Sequence, residues 1–461
     1  MSSTPLIPIN PATGAPLAPI ERTPLASIPA IVDRSRTAQR QWAAQSIEQR
    51  ISALEGFAAR LDDAESADRL ASEITAEMGK TLREARGEVR NVRIRLEDFA
   101  ARARVAVEEE VGREKGVEVR TRWRPFGVVA VIAPWNYPVA TPSNLILSAL
   151  LTGNGVVLKP SEQTPRTGAI LHEHLASSLP AGLVGLVQGA GAEGGALVAG
   201  DVQMIAMTGS IATGKVIMRS AAQDLKRLVL ELGGKDSMII LPGADLEAAA
   251  RHAMALGLAN AGQACISVER IMVHATLVER FLEIVAEMVA AVRVGDPRDE
   301  ATKMGPMASE RQRSIVLEQL ADAKAKGARV LIDGAARSPG FFLEPTLITD
   351  LKPEMMLVQE ETFGPVIAVE ACDSAEQAIV RTNASSYGLG ASIWGEPGPA
   401  LDELAGRLEV GMIGVNRGLS TAAGGPWIGW KSSGFGYSRS VAGMRQFMQP
   451  QSLARTIAKT D

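Results

Sequence analysis

From residue 30 to residue 124 the chain has no proline, and Ala, Leu, Arg and Glu dominate it. That texture predicts helices over 29–60 and 64–110. The densely charged stretch Arg83–Glu110 reads as a solvated helix face. The pattern then changes. Val117-Glu-Val-Arg-Thr-Arg-Trp123 alternates and stops at Arg124-Pro-Phe-Gly127, predicting an exposed antiparallel strand pair. Val128-Val-Ala-Val-Ile-Ala133 is a short apolar run ending in Pro134, as in a buried parallel strand.

Beyond it, apolar runs at 155–158, 183–187, 203–207 and 227–231 alternate with helical patterns at 167–179, 193–199 and 213–223. Strands separated by helices of this length imply βαβ crossovers and an open parallel sheet, the architecture that commonly binds dinucleotides. Helices at 245–262 and 276–292, a strand at 329–333 and further units up to Asn416 predict a second α/β lobe. The lobes are expected to join near Gly233-Gly234, where paired glycines permit a sharp reversal.

Composition narrows the function classes. At 461 residues, 46% hydrophobic and 22% charged, the chain suits a globular protein of two or three domains. A net charge of −4 gives no case for nucleic acid or for an anionic membrane. Two cysteines are far from a disulfide scaffold and fit a reducing compartment. The first ten residues lack the pattern of a signal peptide, and no window approaches the ~18 apolar residues of a membrane helix. A cytoplasmic protein is expected.

One cysteine has an unusual setting. Cys265 lies in Asn260-Ala-Gly-Gln-Ala-Cys-Ile-Ser267, flanked by small and polar residues rather than branched aliphatics. A thiol is a useful nucleophile only as thiolate, so it needs a base or an electropositive pocket. Glu231-Leu-Gly-Gly-Lys235 offers a carboxylate, if the two runs face each other. The four histidines (172, 174, 252 and 274) form no Cys–His pair or metal-ligand spacing, so no metal is expected. Pro134-Trp-Asn-Tyr-Pro138 brackets Asn136 with prolines that stiffen the backbone, so its amide can serve a developing oxyanion or simply satisfy loop carbonyls. Thr208-Gly-Ser-Ile-Ala-Thr-Gly214 joins a predicted strand to a predicted helix, where a phosphate can bind, but it lacks the full G-x-G-x-x-G pattern and also reads as a plain turn. Lys159-Pro-Ser-Glu162 ends a predicted strand, with Lys suited to phosphate or ribose oxygens and Glu162 to ribose hydroxyls; an ordinary surface loop is the alternative.

Taken together these runs resemble the aldehyde dehydrogenase superfamily over nearly the whole chain. The resemblance also takes in Asn10-Pro-Ala-Thr-Gly14, Glu360-Glu-Thr-Phe-Gly-Pro365, Gly411-Met-Ile-Gly-Val-Asn416 and Lys431-Ser-Ser-Gly434. It implies two open parallel-sheet α/β domains, one a Rossmann-like cofactor domain (1–112 and 129–232) and the other catalytic (233–435). A small β oligomerisation arm (113–128 and 436–461) completes the expected fold, with a homodimer or homotetramer as the assembly. An exposed strand edge is an aggregation liability in a monomer, which independently favours an oligomer.

The resemblance also implies a mechanism. Cys265 would attack the aldehyde to form a thiohemiacetal whose oxyanion is held by Asn136 and the Cys265 N–H. Hydride would pass to NAD, and Glu231 would activate water to hydrolyse the thioester. Lys159 joins this catalytic set and, with Glu162, the adenosine ribose positions. Ser210 falls on a pyrophosphate contact, and Glu361 and Phe363 on the nicotinamide ribose. Trp135, Ser161, Gly209, Leu232 and Gly233 complete the implied cofactor contacts. A glutamate at 231 makes water the acyl acceptor rather than coenzyme A, and Glu162 favours NAD, with NADP possible.

Departures from the family bear on the substrate. Semialdehyde enzymes usually carry an arginine where this chain has Asn144, and a second cysteine where it has Ile266. Trp427 replaces a usual phenylalanine and enlarges the aromatic wall beside the aldehyde, unless it only fills the core. Tyr437-Ser438 replaces a usual Arg-Glu pair that relays protons toward the base. An uncharged, apolar or aromatic aldehyde is therefore the expected substrate. The alternative is a semialdehyde or aminoaldehyde dehydrogenase of amine catabolism, with Arg417 or Arg439 supplying the missing charge. A non-catalytic binding or structural relative is the remote alternative.

Overall fold

The computed structural model describes residues 4–419 and 422–457. Residues 1–3 of the expected cofactor domain and 458–461 of the expected arm lie outside the described residues.

The N-terminal helical region is more divided than its composition predicts. The expected 29–60 run is three helices, Ile28–Ala44, Ile47–Ala53 and Glu55–Asp62. Gln45 turns extended, and Ser46 restarts the chain with a capping box to Gln49. The expected 64–110 run is two helices, Ala64–Met78 and Leu82–Ala106. Gly79, at φ 87°, ends the first, and a Thr81–Glu84 capping box starts the second. Residues 107–109 leave the helix, and the last residue of that expected run, Glu110, opens β1 (Glu110–Glu114), which pairs with β2 (Val117–Pro125).

Strands and helices then alternate through β3 (Val128–Ile132), β4 (Gly155–Lys159), β5 (Val184–Leu186), β6 (Met204–Thr208) and β7 (Arg227–Glu231). A second series follows: β8 (Asp236–Ile240), β9 (Val268–His274), β10 (Arg329–Ile332), β11 (Ala336–Arg337), β12 (Phe342–Leu343), β13 (Thr346–Thr349), β14 (Val366–Cys372), β15 (Gly390–Trp394) and β16 (Met412–Val415). Short strands β17 (Trp427–Ile428), β18 (Gly434–Phe435) and β19 (Tyr437–Ser438) precede the long β20 (Met448–Thr456).

These strands build two large sheets. The first runs β18-β7-β6-β3-β4-β5 and the second β10-β13-β14-β9-β8-β15-β16. Pairing is parallel throughout except at one edge of each sheet, where β18 and β10 run antiparallel. Helices cover both faces, so Val128 to Val131 are fully buried, as an uninterrupted apolar run requires. β1, β2 and β20 form a separate antiparallel sheet, and nearly all of β20 is exposed. The chain passes from the first large sheet to the second through Leu232-Gly-Gly-Lys235 alone, between the end of β7 and the start of β8. The expected reversal at Gly233-Gly234 is therefore the crossing between sheets.

The expected helix at 245–262 stops early. It spans Leu246–Gly257, and Asn260, Ala261 and Gly262 follow with φ of 52°, 55° and 75°. Left-handed backbone at non-glycine residues costs about 1 kcal/mol or more each. Glu84 offsets this cost by accepting the Asn260 N–H at 2.8 Å. The turn carries the chain out of the helix and delivers Cys265 to the crossing.

Candidate active site

Cys265 is half-buried and lies against the Glu231-Leu-Gly-Gly run. A Cβ added to Gly234 would come within 2.6 Å of the Cys265 carbonyl oxygen. Only glycine permits so close an approach, which brings the two runs face to face. Burial pushes the thiol up to about 12, and Glu231, Asp236 and Glu361 push the same way against the opposing pull of Arg439. The resting group is a neutral thiol that needs a base.

Glu231 is the candidate for that base. It is buried at the end of β7, with its backbone fixed between Gly209, whose N–H donates to the Glu231 carbonyl, and its β18 partner Gly434. Burial raises its carboxyl above the usual range, while Arg439 and hydroxyls from Ser438 and Thr208 hold it down. Ser438 donates to Oε1, and Thr208 Oγ1 lies 3.4 Å from Oε2. Ser438 thus stands against the base where the family usually carries a relay glutamate, a contact the sequence left without an account.

Asn136 is buried at the N-terminal approach to helix Ala140–Leu151. One of its two amide N–H bonds is engaged with the Gln263 carbonyl at 3.1 Å, which leaves the other for an oxyanion. Asn260 Nδ2 in turn donates to the Asn136 and Gln263 carbonyls. Behind this pair, Glu88 accepts the N–H groups of Val139 and Ala140 at 2.9 Å and pairs with buried Lys80 at 2.6 Å. Among the described residues the Cys265 N–H has no backbone acceptor, so a second oxyanion donor is available. The positioning roles of Asn260, Gln263, Glu84 and Glu88 escaped the sequence reading. A polar residue in a small-residue turn was their only signal.

The expected cofactor residues fall along the ends of the first sheet. Lys159 ends β4, buried, with its ammonium 3.3 Å from Glu162, and burial lowers it below the usual lysine range. Ser161 lies between them and accepts the Gln163 N–H. Gly209 and Ser210 lead into helix Ile211–Ala221, which Ser210 caps through Thr213 N. Among the described residues the Ile211 and Ala212 N–H groups have no acceptor, as anion binding at a helix start requires. Trp135 meets Phe363 edge to face, with centroids 5.4 Å apart.

Glu361 accepts the Gly234 N–H at 2.9 Å, and a Cβ on Gly233 would lie 2.4 Å from its carboxylate. Burial and the neighbouring Glu269 push Glu361 up to about 8. Glu269 also accepts the Thr362 and Phe363 N–H groups and binds Lys235 at 2.7 Å, which fixes this loop. Leu232 packs over Gly214 of the capped helix, where a Cβ would meet it at 2.8 Å. A glycine-lined crossing, a free helix start and a buried lysine suit a dinucleotide.

The expected substrate residues divide. Ile266 and Cys265 pack against Trp427, Leu389 and Met412, so Trp427 both fills a small apolar cluster and walls the nucleophile. Asn144 is buried on helix Ala140–Leu151, and its Nδ2 has no acceptor among the described residues.

Known proteins match this chain along its length. The model of the Aldehyde dehydrogenase family matches residues 2–453. The succinate-semialdehyde dehydrogenase [NADP(+)] of Deinococcus radiodurans is 34% identical over 96% of this chain and 93% of its own. Lactaldehyde dehydrogenase from Escherichia coli superposes with a TM-score of 0.94 at 32% identity, covering 98% of this chain and 96% of its own. The NAD+ complex of an aldehyde dehydrogenase from Bacillus cereus gives 0.93 at 32% identity, covering 99% of this chain and 94% of its own. The chain belongs to the aldehyde dehydrogenase family.

Proposed function

We propose that this chain oxidises an aldehyde to the carboxylic acid through a covalent bond to Cys265, with water as the acyl acceptor. The observation that carries the reading is the close approach of Gly234 to the Cys265 carbonyl, which sets Glu231 and the nucleophile in one site. As sulfur bonds to the aldehyde carbon, Glu231 takes the thiol proton. Asn136 Nδ2 and the Cys265 N–H hold the resulting oxyanion of the thiohemiacetal, needing little reorganisation. NAD or NADP, when bound, takes up the hydride that leaves this carbon. Glu231 passes the thiol proton to solvent and, ionised again, takes a proton from the water that attacks the thioester. The C–S bond breaks as the leaving sulfur regains a proton, releasing the acid and restoring the thiol. Lys159, Ser161, Glu162 and Ser210 would hold the adenosine end, with Trp135, Leu232, Gly233, Glu361 and Phe363 at the nicotinamide end.

Glu162, half exposed beside Lys159, favours NAD and leaves NADP usable. The second substrate reading, a semialdehyde, gains from relatives such as the Deinococcus succinate-semialdehyde dehydrogenase and from Arg439 beside Trp427. We divide the chain into a cofactor domain (1–112 and 129–232), a catalytic domain (233–435) and an arm (113–128 and 436–461). The open, exposed β20 edge supports a homodimer or homotetramer. Two free cysteines support a cytoplasmic setting.

An assay of NADH or NADPH formation over aliphatic, aromatic, amino- and carboxy-aldehydes tests this reading. Activity that requires coenzyme A overturns the assignment of water. Turnover retained by Cys265→Ser refutes the mechanism.

A further inference from the structure

The charged helix Leu82–Ala106 is not solvated all round. Arg102 is buried and Arg95 half-buried on it. Arg439, directly after β19, takes a left-handed conformation at φ 68°. Arg102 fixes that turn by donating to the Arg439 carbonyl, while pairing with Asp98 at 2.7 Å. The Arg439 guanidinium lies 3.9 Å over the ring of Trp427, within the apolar cluster against which Cys265 and Ile266 pack.

The described residues leave this guanidinium unsatisfied. The Arg439 Nε is buried and has no acceptor among them. The carboxylates nearest to Arg95 are engaged elsewhere, Asp98 with Arg102 and Glu88 with Lys80. Burial and repulsion by Arg95 draw Arg439 down to about 10 against the attraction of Glu231 and Cys265, so the group stays charged at neutral pH. Helix Ala140–Leu151 packs against both helix Leu82–Ala106 and β19 and brings Asn144, whose buried Nδ2 also lacks an acceptor. Native interiors rarely leave such donors unmatched, and two neighbouring arginines with no ion pair of their own among the described residues call for an anion from outside the chain.

We propose that Arg439, aided by Arg95, is a specificity-determining residue that grips a carboxylate at the far end of the aldehyde. The preferred substrate is then a short aliphatic ω-carboxyaldehyde. This inference rests on Cys265 being the nucleophile. The apolar cluster takes the methylene chain, and the planar guanidinium, already oriented by Trp427, takes the carboxylate through paired N–H bonds. The uncharged substrate expected from Asn144 gives way because the charge comes from the loop after β19 instead.

The test compares succinate semialdehyde with butanal, matched in carbon number, by the ratio of their kcat/KM values. Wild type should favour the carboxylated aldehyde by at least about tenfold, and Arg439→Leu should reduce the ratio about 10- to 100-fold, chiefly through KM for the semialdehyde. Arg439→Lys should keep an intermediate ratio. A wild type that prefers butanal, or a ratio unmoved by Arg439→Leu, overturns the assignment. Turnover of neither aldehyde refutes the proposed reaction instead. Calorimetric binding of succinate semialdehyde to Cys265→Ala then decides the inference: weaker binding after adding Arg439→Leu supports it, and unchanged binding overturns it.

Discussion

Ser438 and Glu231, 207 positions apart in sequence, meet through a hydrogen bond from the serine hydroxyl to the carboxylate of the proposed base. That bond holds the Glu231 carboxyl down against the effect of burial. Ser438→Ala removes it, so the carboxyl rises further and less of the base is ionised at neutral pH. The acid limb of the kcat profile should move to higher pH, and kcat at pH 7 should fall about 3- to 10-fold. A profile with an unmoved acid limb would separate Ser438 from the base.

Glu231→Gln should slow both halves of the reaction, since Glu231 takes the thiol proton first and a proton from water later. Losing a general base costs about 10²–10⁴-fold, so steady-state turnover should collapse to that extent. Rapid mixing should show the burst of reduced cofactor slowed in the same variant, and a burst at the wild-type rate would limit Glu231 to the hydrolytic half. Glu231 is also one of the carboxylates that raise the Cys265 thiol. Iodoacetamide should nonetheless alkylate the glutamine variant more slowly than wild type at equal pH, because the thiol loses its proton acceptor. Faster alkylation would mean that Glu231 only repels the thiolate and does not take its proton.

Asn136→Ala removes one oxyanion donor, and kcat should drop about 10²–10³-fold. The side chain also donates to Gln263, so a thermal melt should accompany the kinetics. An unaltered kcat in a folded variant would return Asn136 to a purely structural role. Asn260→Ala, which frees the Asn136 carbonyl, should show a milder version of the same loss.

Glu162→Gln tests cofactor choice. A carboxylate on the adenosine ribose repels a 2′-phosphate, but its exposure weakens the effect through solvent screening. The ratio of kcat/KM for NADP to that for NAD should rise by roughly tenfold or less. A fall in the ratio would place Glu162 away from the ribose.

The candidate site was legible where it depends on a short run. Pro134–Pro138, Glu231–Lys235 and the small residues before Cys265 each dictate local backbone, and the structure places them together. Alternation of apolar runs with helical patterns likewise announced both parallel sheets. Helix ends were misjudged where a cap outweighs composition, as at Ser46 and Gly79. Contacts between distant loops were not legible at all. No periodicity ties Ser438 to Glu231, which meet beside the β18–β7 pairing, or Arg439 to Trp427, which the short β17–β19 pair makes neighbours. The charged run 83–110 misled for a related reason: charge pattern alone does not tell which arginines of a helix turn inward.

β18 joins the C-terminal segment to the first sheet at the residue that carries the base, since Gly434 pairs with Glu231 itself. On its other side Glu231 is separated from the second sheet by only the four-residue crossing. A rocking of one sheet against the other would thus load this one carboxylate from two directions, as a rivet is loaded by the plates it joins. Substitutions at Gly434 or Phe435, whose own side chains take no part in the reaction, should for that reason surface as kinetic defects before they surface as loss of fold.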